Sequence, residues 1–208
     1  MQLNQLIDQT WLKPTATREE IIKLCREAKQ YQFWSVCVNP VWVKLAKQQG
    51  VRACTVIGFP LGSNTTEVKI AESIKALEDK ADELDMVINL GWLKDRKNRL
   101  IKNEIGLIKK TAGNRIVKVI IETAYLTKEE KVLAAKLAKV SGADFVKTST
   151  GFGPGGATVE DVKLLRGVVG PGFGVKASGG IKTRVQAEAL VKAGANRIGS
   201  SSGVEICG

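Results

Sequence analysis

Short runs rich in β-branched and apolar residues recur eight times along the chain, and segments with a helical pattern separate them. These runs are the candidate strands, at residues 6–12, 33–38, 53–59, 84–89, 116–122, 144–149, 173–178 and 196–201. Alternation of strands with helical segments indicates α/β units around a parallel sheet. Eight such units without a linker or low-complexity tract predict a single-domain (β/α)8 TIM barrel over residues 1–208.

A doubly wound open sheet is the rival fold. It usually carries a glycine-rich dinucleotide fingerprint after its first strand, and the segment "TWLKPTATREE" contains none. Helix starts are marked by Thr17 with Glu20 and by Thr127 with Glu130, which match capping boxes. The segments "KADELDM", "GADFVKT" and "GANRIGS" share one joint, in which Asp or Asn leads into a strand. We interpret this repeat as architectural.

The sequence contains no histidine, which excludes Ser-His-Asp triads, Cys-His pairs and histidine-based zinc motifs. Chemistry in this chain must therefore use Lys, Asp, Glu, Tyr, Ser or Cys. The four cysteines show neither C-x-x-C spacing nor clustering, so we expect reduced thiols, with no zinc site and no disulfide framework.

The chain has 32 Lys and Arg against 21 Asp and Glu, a formal net charge of +11. Such a surplus suits either nucleic acid or a small anionic substrate. The basic residues are scattered without a basic block, which favours the small anion and predicts no nucleic-acid partner. No apolar run is long enough for a membrane span and the N-terminal residues do not resemble a signal peptide, so we expect a cytoplasmic protein without a membrane partner.

Charged residues share the interior face of the predicted barrel, because side chains alternate across each strand and the apolar parity faces the helices. The rule turns these charged residues inward: Asp8, Asp85, Lys118, Glu122, Lys147 and Lys176. It turns Gln9 and Trp34 outward, Trp34 into the helix-facing core. Barrel interiors normally hold Val, Ile and Leu, and an unpaired buried charge costs several kcal/mol. A buried ion pair of Lys147 and Asp85 without chemistry is the simpler interpretation, but it does not explain the whole set.

Two inward lysines in one small space suggest covalent chemistry. A lysine that is desolvated beside another cation has its pKa lowered from about 10.4 towards roughly 7 to 8, which leaves a useful fraction as neutral amine. A neutral amine attacks carbonyl groups. We therefore predict that Lys147 is a Schiff-base nucleophile and that Lys176 is the cation beside it.

Two loops are suited to holding a phosphate. Barrel enzymes often bind a substrate phosphate at the loops after the seventh and eighth strands. "ASGGIKT" provides Gly179 and Gly180, and "GSSSG" provides Gly199, Ser200, Ser201, Ser202 and Gly203. Each cluster alone is weak evidence, since turns also use these residues. Both clusters at the expected positions predict a phosphate site.

The chain resembles the deoxyribose-phosphate aldolase family over nearly its full length. The resemblance lies in "IDQTWLKPTAT", "VCVNP", "VIGFPLGSNTTEVK", "DELDMVINLG", "VKVIIET", "ADFVKTSTGFGPGGAT", "VKASGGIKT" and "RIGSSSGVEI". It implies a class I aldolase that interconverts 2-deoxyribose 5-phosphate with acetaldehyde and glyceraldehyde 3-phosphate. It also implies that the protein needs no metal or organic cofactor, and we expect a homodimer or homotetramer.

The resemblance implies catalytic roles for Lys147 as the imine-forming lysine, Lys176 as its electrostatic partner and Asp85 as a proton relay. It also implies substrate-binding roles, which we expect for Asp8, Thr10, Cys37, Lys118 and Thr150. The same resemblance implies phosphate contacts from Gly179, Gly180, Gly199, Ser201 and Ser202.

Two features depart from the family pattern. Gln9 stands where the family usually has His, and the sequence ends at Cys207-Gly208 without the terminal tyrosine tail of longer members. The sequence is also compatible with other functions. One is a Schiff-base aldolase or transaldolase-like barrel acting on another sugar phosphate. Another is a non-catalytic, basic phosphate- or RNA-binding barrel. A zinc-dependent aldolase is disfavoured by the missing histidines.

Overall fold

The computed structural model describes residues 2–208 and confirms the predicted barrel. In these residues eight parallel strands close in sequence order, and β8 pairs with β1. The strands are β1 (Ile7–Trp11), β2 (Ser35–Val38), β3 (Ala53–Ile57), β4 (Glu83–Val87), β5 (Ile116–Ile120), β6 (Phe145–Lys147), β7 (Gly174–Ser178) and β8 (Arg197–Ser200). The helices are α1 (Arg18–Gln30), α2 (Val43–Gln48), α3 (Thr66–Glu78), α4 (Leu90–Lys94), α5 (Asn98–Ala112), α6 (Lys128–Val140), α7 (Val159–Val169), α8 (Arg184–Lys192) and α9 (Gly203–Cys207).

The main hydrophobic core lies between the barrel and the helices. Val117 and Val119 of β5 and Leu84 and Met86 of β4 are completely buried there, as the alternation along each strand predicts. A separate apolar cluster of Leu12, Cys37, Cys54 and Val56 comes from the opposite parity and lies inside the barrel. The two clusters show that each strand sends one face outward and one inward.

The predicted helix starts are present. Thr17 with Glu20 and Thr127 with Glu130 form complete capping boxes at α1 and α6. The Oγ1 atom of each threonine accepts the N–H of its glutamate, and the glutamate carboxylate accepts the N–H of the threonine. Each box satisfies backbone donors that the first helical turn leaves free.

The repeated joint fastens the amino-terminal ends of neighbouring strands, which we call the lower end of the barrel. Its members are Asp82, Asp144 and Asn196, which precede β4, β6 and β8. Each backbone N–H donates to a carbonyl of the preceding strand, and each side-chain oxygen accepts the N–H of that same strand residue. The strand residues are Ala53, Val117 and Val175, and the distances range from 2.8 to 3.1 Å.

A basic side chain completes each joint, and it comes from the helix before the strand to which the joint attaches, that is α2, α5 or α7. Lys47 lies 2.6 Å from Asp82, Lys109 lies 2.6 Å from Asp144, and Arg166 donates to Asn196. These contacts recur before β4, β6 and β8 and lie at the lower end of the barrel, opposite the loops that follow the strands. The interpretation of the repeat as architectural therefore agrees with its contacts.

Trp34 occupies the equivalent position before β2, and its N–H donates to Ile7 in the same way. The expectation that Trp34 packs into the helix-facing core is wrong. Its indole N–H donates to Glu83 at 2.7 Å, and the guanidinium groups of Arg52 and Arg197 each lie 4.4 Å from its ring. The strand begins only at Ser35, so strand parity does not govern the residue before it. Trp34 closes the lower end of the barrel.

Gln9 faces outward, as its parity predicts. Its amide donates to Glu27 of α1 at 3.1 Å, and its Oε1 accepts the N–H of Gly203 at 3.0 Å. Among residues 2–208, no helix is both long enough and apolar enough to cross a membrane.

Candidate active site

Inward side chains from alternate strands form layers of four, as is usual in (β/α)8 barrels. The even-numbered strands each begin with one inward residue and present a second two positions later. The lower layer is Ser35, Glu83, Phe145 and Arg197. The odd-numbered strands provide the middle layer, which is Asp8, Cys54, Lys118 and Lys176. The upper layer is Cys37, Asp85, Lys147 and Gly199.

Asp85 is the centre of the charged network. Its Oδ1 lies 2.6 Å from Nζ of Lys118, and its Oδ2 lies 2.9 Å from Nζ of Lys147 and 2.8 Å from Nζ of Lys176. The thiol of Cys54 also donates to Oδ1 at 3.1 Å. Burial alone would raise the pKa of Asp85, but the three lysines hold it well below its usual value. Asp85 is therefore a carboxylate shared by three amines.

Lys176 is paired on two sides. Its Nζ lies 2.5 Å from Oδ2 of Asp8 and 2.8 Å from Oδ2 of Asp85, and the side chain is fully buried. Burial would lower the pKa of Lys176, but Asp8 and Asp85 outweigh it and raise that pKa above its usual value. Lys176 is therefore a fixed ammonium. The sequence indicated a cation beside Lys147, but not that one carboxylate oxygen would lie between the two amines.

The network continues to the lower end through Arg197. Its Nη1 lies 2.9 Å from Oδ1 of Asp8 and 3.1 Å from Oε2 of Glu83. Lys118 also contacts Glu83, at 2.5 Å. Burial would raise the pKa of Asp8, but Lys176, Arg197 and Lys118 lower it. Sequence reasoning missed Glu83 and Arg197, although the parity that turns Asp85 inward also turns Glu83 inward.

The three layers, all within residues 2–208, contain four basic side chains and three acidic ones. The basic members are Lys118, Lys147, Lys176 and Arg197, and the acidic members are Asp8, Glu83 and Asp85. An unpaired buried charge is unfavourable, so the set favours either a neutral lysine or an incoming anion. Lys147 borders the open pocket, whereas Lys118 and Lys176 have no exposed surface. Among the lysines of these layers, Lys147 is thus the one that borders the pocket.

A pocket of about 260 Å³ opens above Lys147 at the upper end of the barrel. Gly199 contributes to this opening because it supplies no side chain to the upper layer. A Cβ atom at this position would lie 3.0 Å from Cε of Lys176 and 3.1 Å from Cβ of Ser178. The glycine therefore leaves space directly beside the lysine pair.

The predicted phosphate residues mostly meet at this pocket. Gly179, Gly180, Gly199 and Ser201 form part of its wall. Ser202 does not; it precedes α9, and its N–H donates to Oγ of Ser200 at 2.9 Å.

Ser200 of the predicted "GSSSG" loop also lines the pocket, whereas sequence reasoning missed two residues of the same wall, Lys13 and Lys182. Lys182 lies inside the motif "GGIKT", so a cation two positions after the paired glycines was a usable signal.

The predicted substrate contacts divide into two groups. Thr10 and Thr150 line the pocket. Asp8, Cys37 and Lys118 have no exposed surface and lie beneath or beside the pocket floor. None of these three lines the pocket, so their direct contact with substrate stays a prediction. Asp8 contacts Lys176, and Lys118 contacts Asp85.

A larger hollow of about 620 Å³ lies near Leu3, Tyr31 and Arg184. None of the layer residues lines it, so its size does not make it the candidate site. Two groups of buried donors have the spacing of metal ligands: Cys37, Cys54 and Asp85, and Asp8, Cys54 and Glu83. Their carboxylates already pair with lysine or arginine, so a metal cation would have to displace those bonds and enter among fixed positive charges.

Comparisons with known proteins show the family of this chain. The family model described as DeoC/LacD family aldolase matches residues 3–208. A deoxyribose-phosphate aldolase of Thermococcus kodakarensis is 62% identical, with 99% of this chain and 95% of the relative covered. One of Streptococcus gordonii is 57% identical, with 99% and 96% covered.

Solved structures agree as well. The aldolase QR15 has a TM-score of 0.96 at 42% identity, covering 99% of this chain and 94% of that one. A structure from Aeropyrum pernix, described as a tetrameric deoxyribose phosphate aldolase, has a TM-score of 0.89 at 38% identity, covering 99% and 89%. The chain belongs to the DeoC/LacD family of aldolases.

Proposed function

We propose that this protein is a class I aldolase that reversibly cleaves 2-deoxy-D-ribose 5-phosphate to acetaldehyde and D-glyceraldehyde 3-phosphate. The observation that carries the proposal is the position of Lys147, which borders the pocket while its Nζ contacts a carboxylate shared with Lys176. The relatives named deoxyribose-phosphate aldolase, at up to 62% identity, support the choice of substrate.

The reaction begins when Lys147, as a free amine, attacks the substrate aldehyde carbon. Loss of water from the carbinolamine gives an iminium ion. The C2–C3 bond then breaks, its electron pair moves towards the iminium nitrogen, and the proton of the C3 hydroxyl passes to a base. Glyceraldehyde 3-phosphate leaves and an enamine remains. Protonation of the enamine at C2 and hydrolysis of the new iminium release acetaldehyde and restore Lys147.

Asp85 and Lys176 are the groups that support these proton transfers. Asp85 contacts both Lys147 and Lys176, so a proton leaving the reacting centre can be received within one hydrogen-bonded unit. Lys176 remains positively charged, because Asp8 and Asp85 raise its pKa above the usual value. Asp8 and Lys118 hold these two groups in place.

The phosphate is proposed to lie against Gly179, Gly180 and Ser201. Gly179 and Gly180 have φ values of 90° and 75°, a backbone conformation that other residues rarely adopt. Lys13 and Lys182 add positive charge to the same wall. A phosphate here would sit at one end of the pocket and direct the aldehyde towards Lys147.

The decisive test is a coupled assay for glyceraldehyde 3-phosphate release from deoxyribose 5-phosphate. Unmodified protein should be active, Lys147→Leu should be inactive, and Lys163→Leu should match the unmodified protein because Lys163 is an exposed residue of α7. Borohydride reduction with acetaldehyde should add mass at Lys147. Labelling at another lysine would contradict the assignment, and cleavage of a different sugar phosphate in a substrate panel would correct the substrate.

We also propose a homodimer or homotetramer. The Aeropyrum pernix structure described as tetrameric, at 38% identity, supports an assembly of this kind. Light scattering after size-exclusion chromatography tests it, and a mass of one chain across micromolar concentrations would contradict it.

A further inference from the structure

Glu122 has a strained backbone at the upper rim of the barrel. It follows β5 and has φ 49° and ψ 69°, in the left-handed region that a residue with a long side chain seldom occupies. It is also 3% exposed. Strain of this kind persists where surrounding contacts fix the residue, and it concentrates at functional sites.

The carboxylate of Glu122 holds the segment that follows β6. Its Oε2 accepts the backbone N–H of Thr150 at 3.1 Å and also accepts the hydroxyl of Thr150. The hydroxyl oxygen of Thr150 in turn accepts the N–H of Phe152 at 3.0 Å. One carboxylate oxygen therefore fixes the backbone at Thr150 directly and at Phe152 through the Thr150 hydroxyl.

Gly153 packs directly on the same carboxylate. A Cβ atom at Gly153 would lie 3.0 to 3.2 Å from the carboxyl carbon and both oxygens of Glu122. Oε1 of Glu122 is buried and has no hydrogen-bond partner among residues 2–208. A purely structural clamp would normally satisfy both oxygens, since an unpaired buried polar atom is unfavourable.

The segment that Glu122 holds is one wall of the proposed active site. Thr150, Gly151 and Phe152 line the pocket together with Lys147. The ring of Phe152 also meets the ring of Phe59 edge to face, with 5.3 Å between centroids. Movement of this wall would alter how a substrate is oriented above the amine, without moving the amine itself, because Asp85 of the same layer holds Lys147.

We propose that Glu122 is a positioning residue for the aldol reaction, which fixes the wall formed by Thr150, Gly151 and Phe152 so that the sugar phosphate is oriented for carbon–carbon bond cleavage at Lys147. This inference rests on the proposed function. Glu122 acts through Thr150 and does not itself contact the reacting atoms.

The test combines hydrogen exchange with kinetics on Glu122→Ala and Glu122→Gln. In Glu122→Ala, the amides of Thr150 and Phe152 should exchange faster, whereas the amide of Thr148, which donates to Lys176 at 3.0 Å, should keep its protection. The value of kcat/KM for deoxyribose 5-phosphate should fall by about 100-fold, the scale of a misplaced substrate. Trapping of acetaldehyde at Lys147 by borohydride should keep its rate, because this small aldehyde needs no orientation by the wall.

Glu122→Gln keeps the size of the side chain and an oxygen that accepts from Thr150. It should therefore retain most of the kcat/KM and of the amide protection of the unmodified protein. Asp144→Ala is the matched control, since Asp144 accepts the N–H of Val117 at 2.8 Å at the lower end of the barrel. It should leave the exchange of Thr150 and Phe152 unchanged. If Glu122→Ala does not fold, Thr150→Val removes the same hydroxyl contacts and should give the same faster exchange of Phe152.

Unchanged kcat/KM in Glu122→Ala, or equal losses in cleavage and acetaldehyde trapping, would overturn the positioning role. Absence of cleavage by the unmodified protein would instead refute the proposed function itself. The two failures are therefore distinguishable.

Discussion

Oδ2 of Asp85 lies 2.9 Å from Nζ of Lys147, so the proposed nucleophile rests on a carboxylate and not directly on another ammonium group. The same oxygen contacts Lys176 at 2.8 Å. The two lysine amines therefore do not face each other directly, because one carboxylate oxygen lies between them. This arrangement keeps both amines in fixed positions while the barrel interior retains more basic than acidic groups.

Asp85→Asn should damage both stability and activity. Three buried lysines lose their common counter-charge, and breaking a buried ion pair typically lowers the free energy of unfolding by about 3 to 5 kcal/mol. Urea denaturation and the cleavage assay measure the two effects. Asp95→Asn is the control, because the exposed Asp95–Lys97 pair should contribute less than about 1 kcal/mol. Equal stability of the two variants would contradict the central role of Asp85.

Acid should destabilise the protein through Asp8 and Asp85, whose pKa values are lowered in the folded state. Below about pH 3.9 the unfolded chain takes up protons at these carboxylates while the folded protein does not, so stability should fall progressively with pH. Unfolding free energies measured from pH 7 downward test this. Asp8→Asn should be less stable at pH 7 and should show a smaller decline; a decline of unchanged size would contradict the assignment.

Alkali should destabilise the protein through the buried lysines Lys118 and Lys176. The pKa values of Lys118 and Lys176 are raised by neighbouring carboxylates, against the effect of burial. Their contribution to stability is complete below about pH 10.4 and should be lost as the pH rises above that value, where only the unfolded chain releases protons. Chemical denaturation between pH 9 and pH 11.5 measures it. Stability that rises over this range would contradict the pairing.

Gly199→Ala should impair activity more than stability. The added methyl group would lie 3.0 Å from Cε of Lys176, which Asp8 and Asp85 prevent from moving freely. We expect kcat/KM to fall by about 10-fold or more and the free energy of unfolding by about 1 to 3 kcal/mol. Gly167→Ala in α7 is the control, because no atom lies within 4 Å of the added Cβ. Full activity of Gly199→Ala would show that this space is not used.

Lys69 and Glu104 form a second buried pair, outside the barrel, at 2.9 Å with both side chains fully buried. Lys69 also donates to the carbonyls of Gly62 and Val87 at 2.8 and 2.9 Å. Lys69→Met should lower the free energy of unfolding by about 3 to 5 kcal/mol, because it leaves Glu104 unpaired. Adding Glu104→Gln should recover part of the loss. Urea denaturation of the two single variants and the double variant completes a double-mutant cycle. Additive losses of unfolding free energy in this cycle would contradict coupling between the two residues.

The fold could be predicted from the sequence because its signals are local. Each candidate run overlaps a strand, although β4 (Glu83–Val87) begins one residue before its run, and runs such as 6–12 and 144–149 extend beyond the strands Ile7–Trp11 and Phe145–Lys147. The inward direction of Lys118 and Asp85 follows from the apolar residues that alternate with them. These features depend on neighbours along the chain, which a sequence displays directly.

The height of each residue within the barrel could not be predicted in the same way. Height depends on the stagger between strands, which is set when the barrel closes. The family resemblance implies that Asp8, Cys37 and Lys118 meet substrate, but it does not show that they are fully buried and do not line the pocket. The link from Arg197 to Asp8 joins residues 189 positions apart, and no local pattern indicates such a contact.

Trp34 and Trp11 give the barrel one indole at each end. Trp34 stacks with two guanidinium groups at the closed end, and Trp11 belongs to the wall of the pocket at the open end. Intrinsic fluorescence can therefore report on the two ends separately once each indole is replaced in turn. Binding of a phosphorylated sugar in the pocket should change the emission of Trp11, whereas local unfolding of the lower end of the barrel should change the emission of Trp34.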